Sequence, residues 1–258
     1  MGVITQITLQ KVNLLFPEFV FVSLSATING VMDTTYVVTS KTEEFILKKY
    51  EREIPVQVNV DSFGLNTPKL LASSQGWHLC TKLEGSQPKS TKYFHIQAVA
   101  RFLSVLHKQS SQVSCPSVFL KNYEIKASLE FVKKEFYFFY KKLKALQTYK
   151  QTKDGFIHGD IFKDNTVFNN EKVGVFDFVD GGYGSFVFDV AVALIAFNSA
   201  KRNSYTKLFL QTYNQNSPKK IKLNELKQEM KLAAKFYTLL RIDKDKNIRR
   251  AKELMVHF

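Results

Sequence analysis

Between Phe156 and Asp177 the chain reads F-I-H-G-D-I-F-K-D-N-T-V-F-N-N-E-K-V-G-V-F-D, which gathers His158, Asp160, Lys163, Asp164, Asn165 and Asp177 into one short stretch. These residue types suit phosphoryl transfer. That chemistry asks for a base or positioner for an attacking hydroxyl, and for hard oxygen ligands for the Mg2+ on nucleotide phosphates. Asp160 suits the first task, while Asn165, five positions on, and Asp177 suit the second. Asp and Asn are also ordinary turn formers. Their conjunction at this spacing is what points to chemistry.

Such residues need a rigid frame. Phe156-Ile157 reads as a short buried strand leading in, Thr166-Val167-Phe168 as a second apolar piece, and Val173-Gly174-Val175-Phe176 as a strand ending on Asp177. Asn169-Asn170 is a turn signal between the last two. Asp160 and Asn165 thus fall on a loop held by strands, a usual place for catalytic groups.

The pattern H-G-D-x-x-x-x-N followed by an apolar strand ending in Asp resembles the signature of the aminoglycoside phosphotransferase and choline kinase group. The longer string H-G-D-I-F-K-D-N-T-V-F is most similar to homoserine kinases of this fold. Phe188-Asp189-Val190-Ala191 matches a further family feature, an Asp that opens a long apolar helix and buttresses the catalytic loop. The resemblance implies an α+β, two-lobed protein-kinase-like fold, with a small antiparallel-sheet lobe (residues 1–82) and a mostly helical lobe (residues 83–258) around a nucleotide cleft. It implies ATP and Mg2+ as cofactors. Asp160 is then the catalytic base, Asn165 and Asp177 hold metal and nucleotide, and His158 and Asp189 support the loop. Lys163 either offsets charge on the transferring phosphoryl group or is a solvated lysine.

The amino-terminal part reads mainly as strands: Phe19–Leu24, Tyr36–Thr39 and Phe45–Tyr50, with a hairpin turn at Ser40–Glu44. Leu65–Leu71 and Trp77–Cys80 read as its last strands. Residues 25–35 resemble the loop that covers phosphates in kinases, although G-x-G-x-x-G is lacking; a plain turn at Asn29-Gly30 is the alternative. Alternation places Ile46 and Lys48 on one strand face and Lys49 on the other. Lys48 then occupies the place of the phosphate-holding lysine, with Glu51 or Glu53 as its ion-pair partner next to a short helix that Pro55 helps to start. Asp33 stands where homoserine kinases tend to carry Asn; it points away from phosphates or meets a substrate amino group. Thr81-Lys82-Leu83-Glu84-Gly85 resembles the hinge that receives adenine on backbone groups, which assigns Thr81 and Leu83 to the nucleotide.

In the carboxy-terminal part, Ile96, Val99, Ala100, Leu103 and Leu106 recur at helical spacing, and His107 reads as a helix-end residue. Phe131–Leu146 reads as one helix, Asp189–Phe197 as the buttress helix, and Asn224–Leu240 and Asn247–Val256 as amphipathic helices, the first capped by Asn224. Gly181–Gly184 reads either as a turn or as the segment that shapes the substrate pocket, with Asp180 and Tyr183 as contacts.

The composition sets outer limits. At 258 residues the chain can bury a large core. Cys80 and Cys115 form no ligand cluster or disulfide framework, which suits a reducing, cytoplasmic setting. The first residues lack the basic region of a secretory signal, and the longest apolar run is too short to span a bilayer. The net charge is +14, and residues from Lys201 onward carry 15 Lys/Arg against 5 Asp/Glu. This reads as a solvated lysine-rich surface, since no nucleic-acid motif accompanies it.

The implied activity is phosphorylation of a hydroxyl on a small metabolite with an amino group. L-Homoserine, on the way to threonine, comes first; choline, ethanolamine and aminoglycosides follow. A nucleotide-binding regulator without catalysis would be expected to lack one of Asp160, Asn165 or Asp177, and all three are present.

Overall fold

A computed structural model describes residues 3–27, 33–51, 60–113, 117–198 and 201–258. The chain divides into two units. Among the described residues, the first takes 3–51 and Asn66–Glu84, and the second takes 60–65 and Gly85–Phe258.

The first unit opens on helix α1 (Leu9–Leu15), where the Thr8 hydroxyl accepts the Lys11 amide at 3.2 Å. This helix lies in a stretch expected to be strand-rich. Its Val12 and Leu15, three apart, supply the one apolar stripe it buries. Strands β1 (Ser23–Ala26), β2 (Thr34–Thr39), β3 (Glu44–Lys49), β4 (Leu70–Ser74) and β5 (Trp77–Thr81) form an antiparallel sheet in the order β1-β2-β3-β5-β4. The first and fourth strands begin later than the β-prone runs at Phe19 and Leu65 suggest. Tyr36 and Val38 of β2, Phe45 and Leu47 of β3, and Trp77 and Leu79 of β5 are buried together with Val12, Leu15, Phe16 and Phe21. Period-two alternation therefore puts Ile46 and Lys48 on the face opposite this core.

The second unit is mostly helical: α2 (Tyr93–Ser110), α3 (Ile125–Glu135), α4 (Tyr137–Leu143), α5 (Phe186–Phe197), α6 (Asn203–Asn216), α7 (Leu223–Asp243) and α8 (Ile248–Leu254). Two antiparallel pairs sit among them: β6 (Gly155–Ile157) with β9 (Gly182–Gly184), and β7 (Thr166–Asn169) with β8 (Lys172–Val175). Every residue of α5 is buried, as befits a helix that is apolar all round but for Asp189. The helix expected over Phe131–Leu146 is broken at Phe136, whose φ of −140° and ψ of 54° leave the helical region. Asn224 lies inside α7, with Lys222 at the cap position, whereas the Asn247 side chain does cap α8 by accepting the Arg250 amide at 3.0 Å. The glycine-rich Gly181–Gly184 segment supplies β9, because Tyr183 pairs with Phe156.

Candidate active site

The second unit holds the acidic loop. β6 delivers His158 and Gly159 at its end, and Gly159 takes φ +77°, where a Cβ would collide with the Phe119 ring. Glycine alone meets both demands comfortably. His158 is fully buried. Its Nδ1 accepts the Asp160 amide at 3.1 Å, so Nε2 carries the proton and donates to the Phe176 carbonyl at 3.0 Å. One imidazole thereby ties the loop that bears Asp160 to the segment that leads into Asp177.

Asp160 and Asn165 meet directly. Asn165 Nδ2 donates to Asp160 Oδ2 and to the Asp160 carbonyl, each at 2.9 Å. Asp160 keeps a partial opening to solvent, yet its carboxyl is pushed up to about 8. Burial is the first cause, and Asp164, Asp177 and Asp180 add to it, while Arg241 opposes them. A carboxyl raised that far changes charge near neutrality. Asp177 follows β8, is exposed, and takes the left-handed conformation at φ 67°. Asp is one of the few types that tolerates it. Asp180 ends the next tight turn, and Tyr183 is half-buried on β9. Lys163 is half-buried, and burial followed by Arg250 lowers its ammonium pKa.

Asp189 is the one polar residue of α5 and is fully buried. Its Oδ2 accepts the His158 amide at 3.0 Å and its Oδ1 accepts the Gly159 amide at 2.8 Å. His107 Nε2 adds a third contact at 3.1 Å, and His107 Nδ1 meets the Tyr213 hydroxyl at 2.7 Å. His107, which reads in sequence as a helix-end residue, is thus a fully buried member of the bracing network. The α7 residue Tyr237 also reaches the loop, donating its hydroxyl to the Gly159 carbonyl. Neither Tyr213 nor Tyr237 has a local sequence signal; their helical spacing marks them only as core.

The oxygens fit a hard divalent cation. Asn165 spends Nδ2 on Asp160, which leaves Oδ1 as a neutral oxygen ligand, and Asp177 supplies an exposed carboxylate. Among the described residues, no group of three or more His, Cys, Asp or Glu forms a metal cage. Mg2+ commonly binds one or two carboxylates and completes its shell with phosphates and water.

The first unit holds the remaining expected residues. Lys48 Nζ lies 3.8 Å from Asp33 Oδ2 and 4.8 Å over the Tyr50 ring. Asp33 Oδ1 also accepts the Glu51 amide at 3.2 Å. Glu51, expected as a partner of Lys48, is bound instead by the hydroxyls of Thr34 at 2.6 Å and Thr5 at 3.0 Å, which lower its pKa. Two hydroxyl donors hold that carboxylate in place. Glu53, Pro55 and the Asn29-Gly30 turn lie outside the described residues. Thr81 closes β5, donating its amide to the Lys69 carbonyl and accepting the Lys69 amide on its hydroxyl, each at 2.9 Å. Leu83 follows two residues later and is half-buried.

Comparison with known proteins gives the family and the fold. The phosphotransferase enzyme family, APH, matches residues 27–223. A homoserine kinase from Janthinobacterium sp. (strain Marseille) is 24% identical over 235 residues, covering 75% of this chain and 71% of the relative. Among solved structures, the amicoumacin kinase hAmiN, in complex with AMP-PNP, Ca2+ and Ami, superposes with a TM-score of 0.70 at 16% identity, over 96% of this chain and 92% of that one. The choline kinase LicA from Streptococcus pneumoniae superposes with a TM-score of 0.68 at 12% identity, over 96% of this chain and 99% of that one. At such identities the likeness shows the fold, the α+β protein-kinase-like arrangement that the catalytic segment implies.

Proposed function

The chain belongs to the phosphotransferase enzyme family, and from that premise we propose that it transfers the terminal phosphoryl group of ATP to the hydroxyl of a small amino-bearing metabolite, L-homoserine first. The observation that carries this reading is the Asp160–Asn165 pair on a loop braced by Asp189. Asp160 accepts the acceptor's hydroxyl proton and aims its oxygen. Asn165 Oδ1 and Asp177 would hold Mg2+, which would supply neutralisation of charge on the nucleotide phosphates. Lys48 is assigned to phosphate oxygens, with Asp33 steadying its ammonium. Thr81 and Leu83 are assigned to the adenine edge through backbone groups. Asp180 and Tyr183 are assigned to the acceptor, Asp180 to its ammonium.

Homoserine leads because the H-G-D-I-F-K-D-N-T-V-F string and the homoserine kinase relative point the same way. The likeness to choline and amicoumacin kinases supports the fold and does not choose an acceptor. No helix among the described residues is long and apolar enough to cross a membrane. Use of ATP goes with a cytoplasmic setting.

The test is a coupled ADP-release assay with Mg-ATP against L-homoserine, choline, ethanolamine and an aminoglycoside. Saturable turnover of L-homoserine is expected, with a loss of about 100- to 10,000-fold in Asp160→Ala. Undiminished turnover in that variant, or silence across the panel from protein that binds Mg-ATP, would refute the assignment.

A further inference from the structure

Helix α7 faces the catalytic loop with more than Tyr237. One turn on, the Arg241 guanidinium lies 5.8 Å from the Phe162 ring centre, two residues past Asp160. It is the cation that acts on Asp160, where Asp164, Asp177 and Asp180 act as anions. The Arg241 side chain is 26% exposed, so it belongs to the protein interior and also reaches solvent. Its Nη1 pairs with Asp245, but its Nε is buried and has no acceptor among the described residues. A guanidinium offers five donors in a planar fork. One carboxylate on Nη1 leaves most of the fork unused. A buried donor without an acceptor calls for an explanation, and a missing ligand is one. The ligand that matches a guanidinium edge is a carboxylate or another planar anion.

We propose that Arg241 receives the carboxylate of the acceptor, which makes the acceptor a hydroxyl-bearing amino acid and excludes amino-alcohols that lack an acid group. This rests on the kinase reading above and refines it. Asp160 takes the hydroxyl, Asp180 the ammonium and Arg241 the carboxylate. A purely cationic acceptor would satisfy the carboxylates but would be repelled by Arg241 and would leave its fork unpaired. Sites built to bind a polar group reject analogues that lack it far more strongly than apolar pockets reject a missing methylene. On reaching a bound carboxylate, Arg241 turns its Nε edge outward to the ligand, and its Nη1 bond to Asp245 acts as the tether.

ADP release is measured for the wild type, Arg241→Gln and Arg241→Lys at saturating Mg-ATP. The acceptors are L-homoserine and 3-amino-1-propanol, the same skeleton without the carboxylate. The wild type should favour L-homoserine in kcat/KM by at least about 100-fold. Arg241→Gln should shrink that preference by about 10- to 100-fold, mainly through the KM for L-homoserine, with Arg241→Lys between the two. An unchanged preference in Arg241→Gln overturns the proposal. So does an equal fall in kcat for both acceptors, which would place Arg241 on the transferring phosphoryl group. Equal use of both acceptors by the wild type overturns it without any variant, which covers variants that fail to fold. ADP release that is absent with every acceptor, or that survives in Asp160→Ala, removes the kinase reading along with it. An active wild type indifferent to the carboxylate removes the Arg241 assignment alone.

Discussion

Asp189 accepts the His158 amide at 3.0 Å from inside a helix whose every residue is buried. Its other oxygen accepts the Gly159 amide, and His107 completes the set. The loop that carries Asp160 is therefore held by a buried carboxylate whose two oxygens are both engaged. Asp189→Ala would strand two amides and an imidazole away from water. That variant should lose about 3–5 kcal/mol of unfolding free energy, the usual cost of breaking a buried charged contact by removing one partner. Urea unfolding measures it. A loss below about 1 kcal/mol, the size of an ordinary surface effect, would mean that the loop does not depend on this brace.

Gly159 faces two constraints at one atom. Its φ is +77°, and a Cβ would run into the Phe119 ring, which is itself fully buried. The left-handed conformation costs about 1–2 kcal/mol for alanine, and overpacking about 1–3 kcal/mol more. Gly159→Ala should therefore unfold earlier than the wild type by roughly the sum of these, and it should lose turnover in step. Crystals or circular dichroism of a fully stable Gly159→Ala protein would contradict the packing described.

The grouping of the loop residues was readable because they lie close together in sequence. His158, Asp160, Asn165 and Asp177 are each a type with few reasons to recur at that spacing. Asp189 was readable only through the resemblance, as the Asp of Phe188-Asp189-Val190-Ala191 that opens the apolar helix. Its partners were not: His107 lies 82 residues away and Tyr213 a further 106 from His107. Nothing local in either tells a buried hydrogen bond from a helix surface. The break at Phe136 was hidden for a related reason: neither Gly nor Pro marks it, and the ring contacts of Phe136 with Phe131 and Phe139 are visible only in the fold. Helix α1 was missed because seven residues give too few turns to show a period. Arg241 was one basic residue among many in a lysine-rich tail, and only the fold puts it beside Phe162.

Lys48 is half-buried and paired with Asp33 across 3.8 Å. If its ammonium serves phosphate oxygens, Lys48→Met should raise the KM for ATP by about tenfold or more and leave the KM for the acceptor nearly unmoved. Asp33→Ala should give the same pattern in weaker form, because it removes one contact of the ammonium and keeps the ammonium itself. Initial-rate kinetics with each substrate varied in turn separate the two constants. A Lys48→Met protein whose acceptor KM rises instead would reassign the lysine to the acceptor.

Asp160 also predicts how stability depends on pH. In the folded chain its carboxyl is pushed up to about 8, by burial first and by neighbouring carboxylates second. In the unfolded chain an aspartate titrates near 3.9, so between about pH 4 and pH 8 the folded state holds more of this proton than the unfolded state does. Unfolding free energy then falls as pH rises across that window, because ionising Asp160 in place costs more than ionising it in water. Asp160→Asn cannot ionise, and its amide oxygen can still accept the Asn165 Nδ2 donor. The variant should match the wild type near pH 4 and gain on it steadily up to about pH 8, when both are unfolded with urea in chelating, nucleotide-free buffer. The same titration should govern turnover, with wild-type kcat/KM rising with pH as the base gives up its proton. A stability difference between the two proteins that stays constant from pH 5 to pH 9 would show an aspartate ionised in the ordinary acidic range, and Asp160 would then be a positioner with no base poised near neutrality.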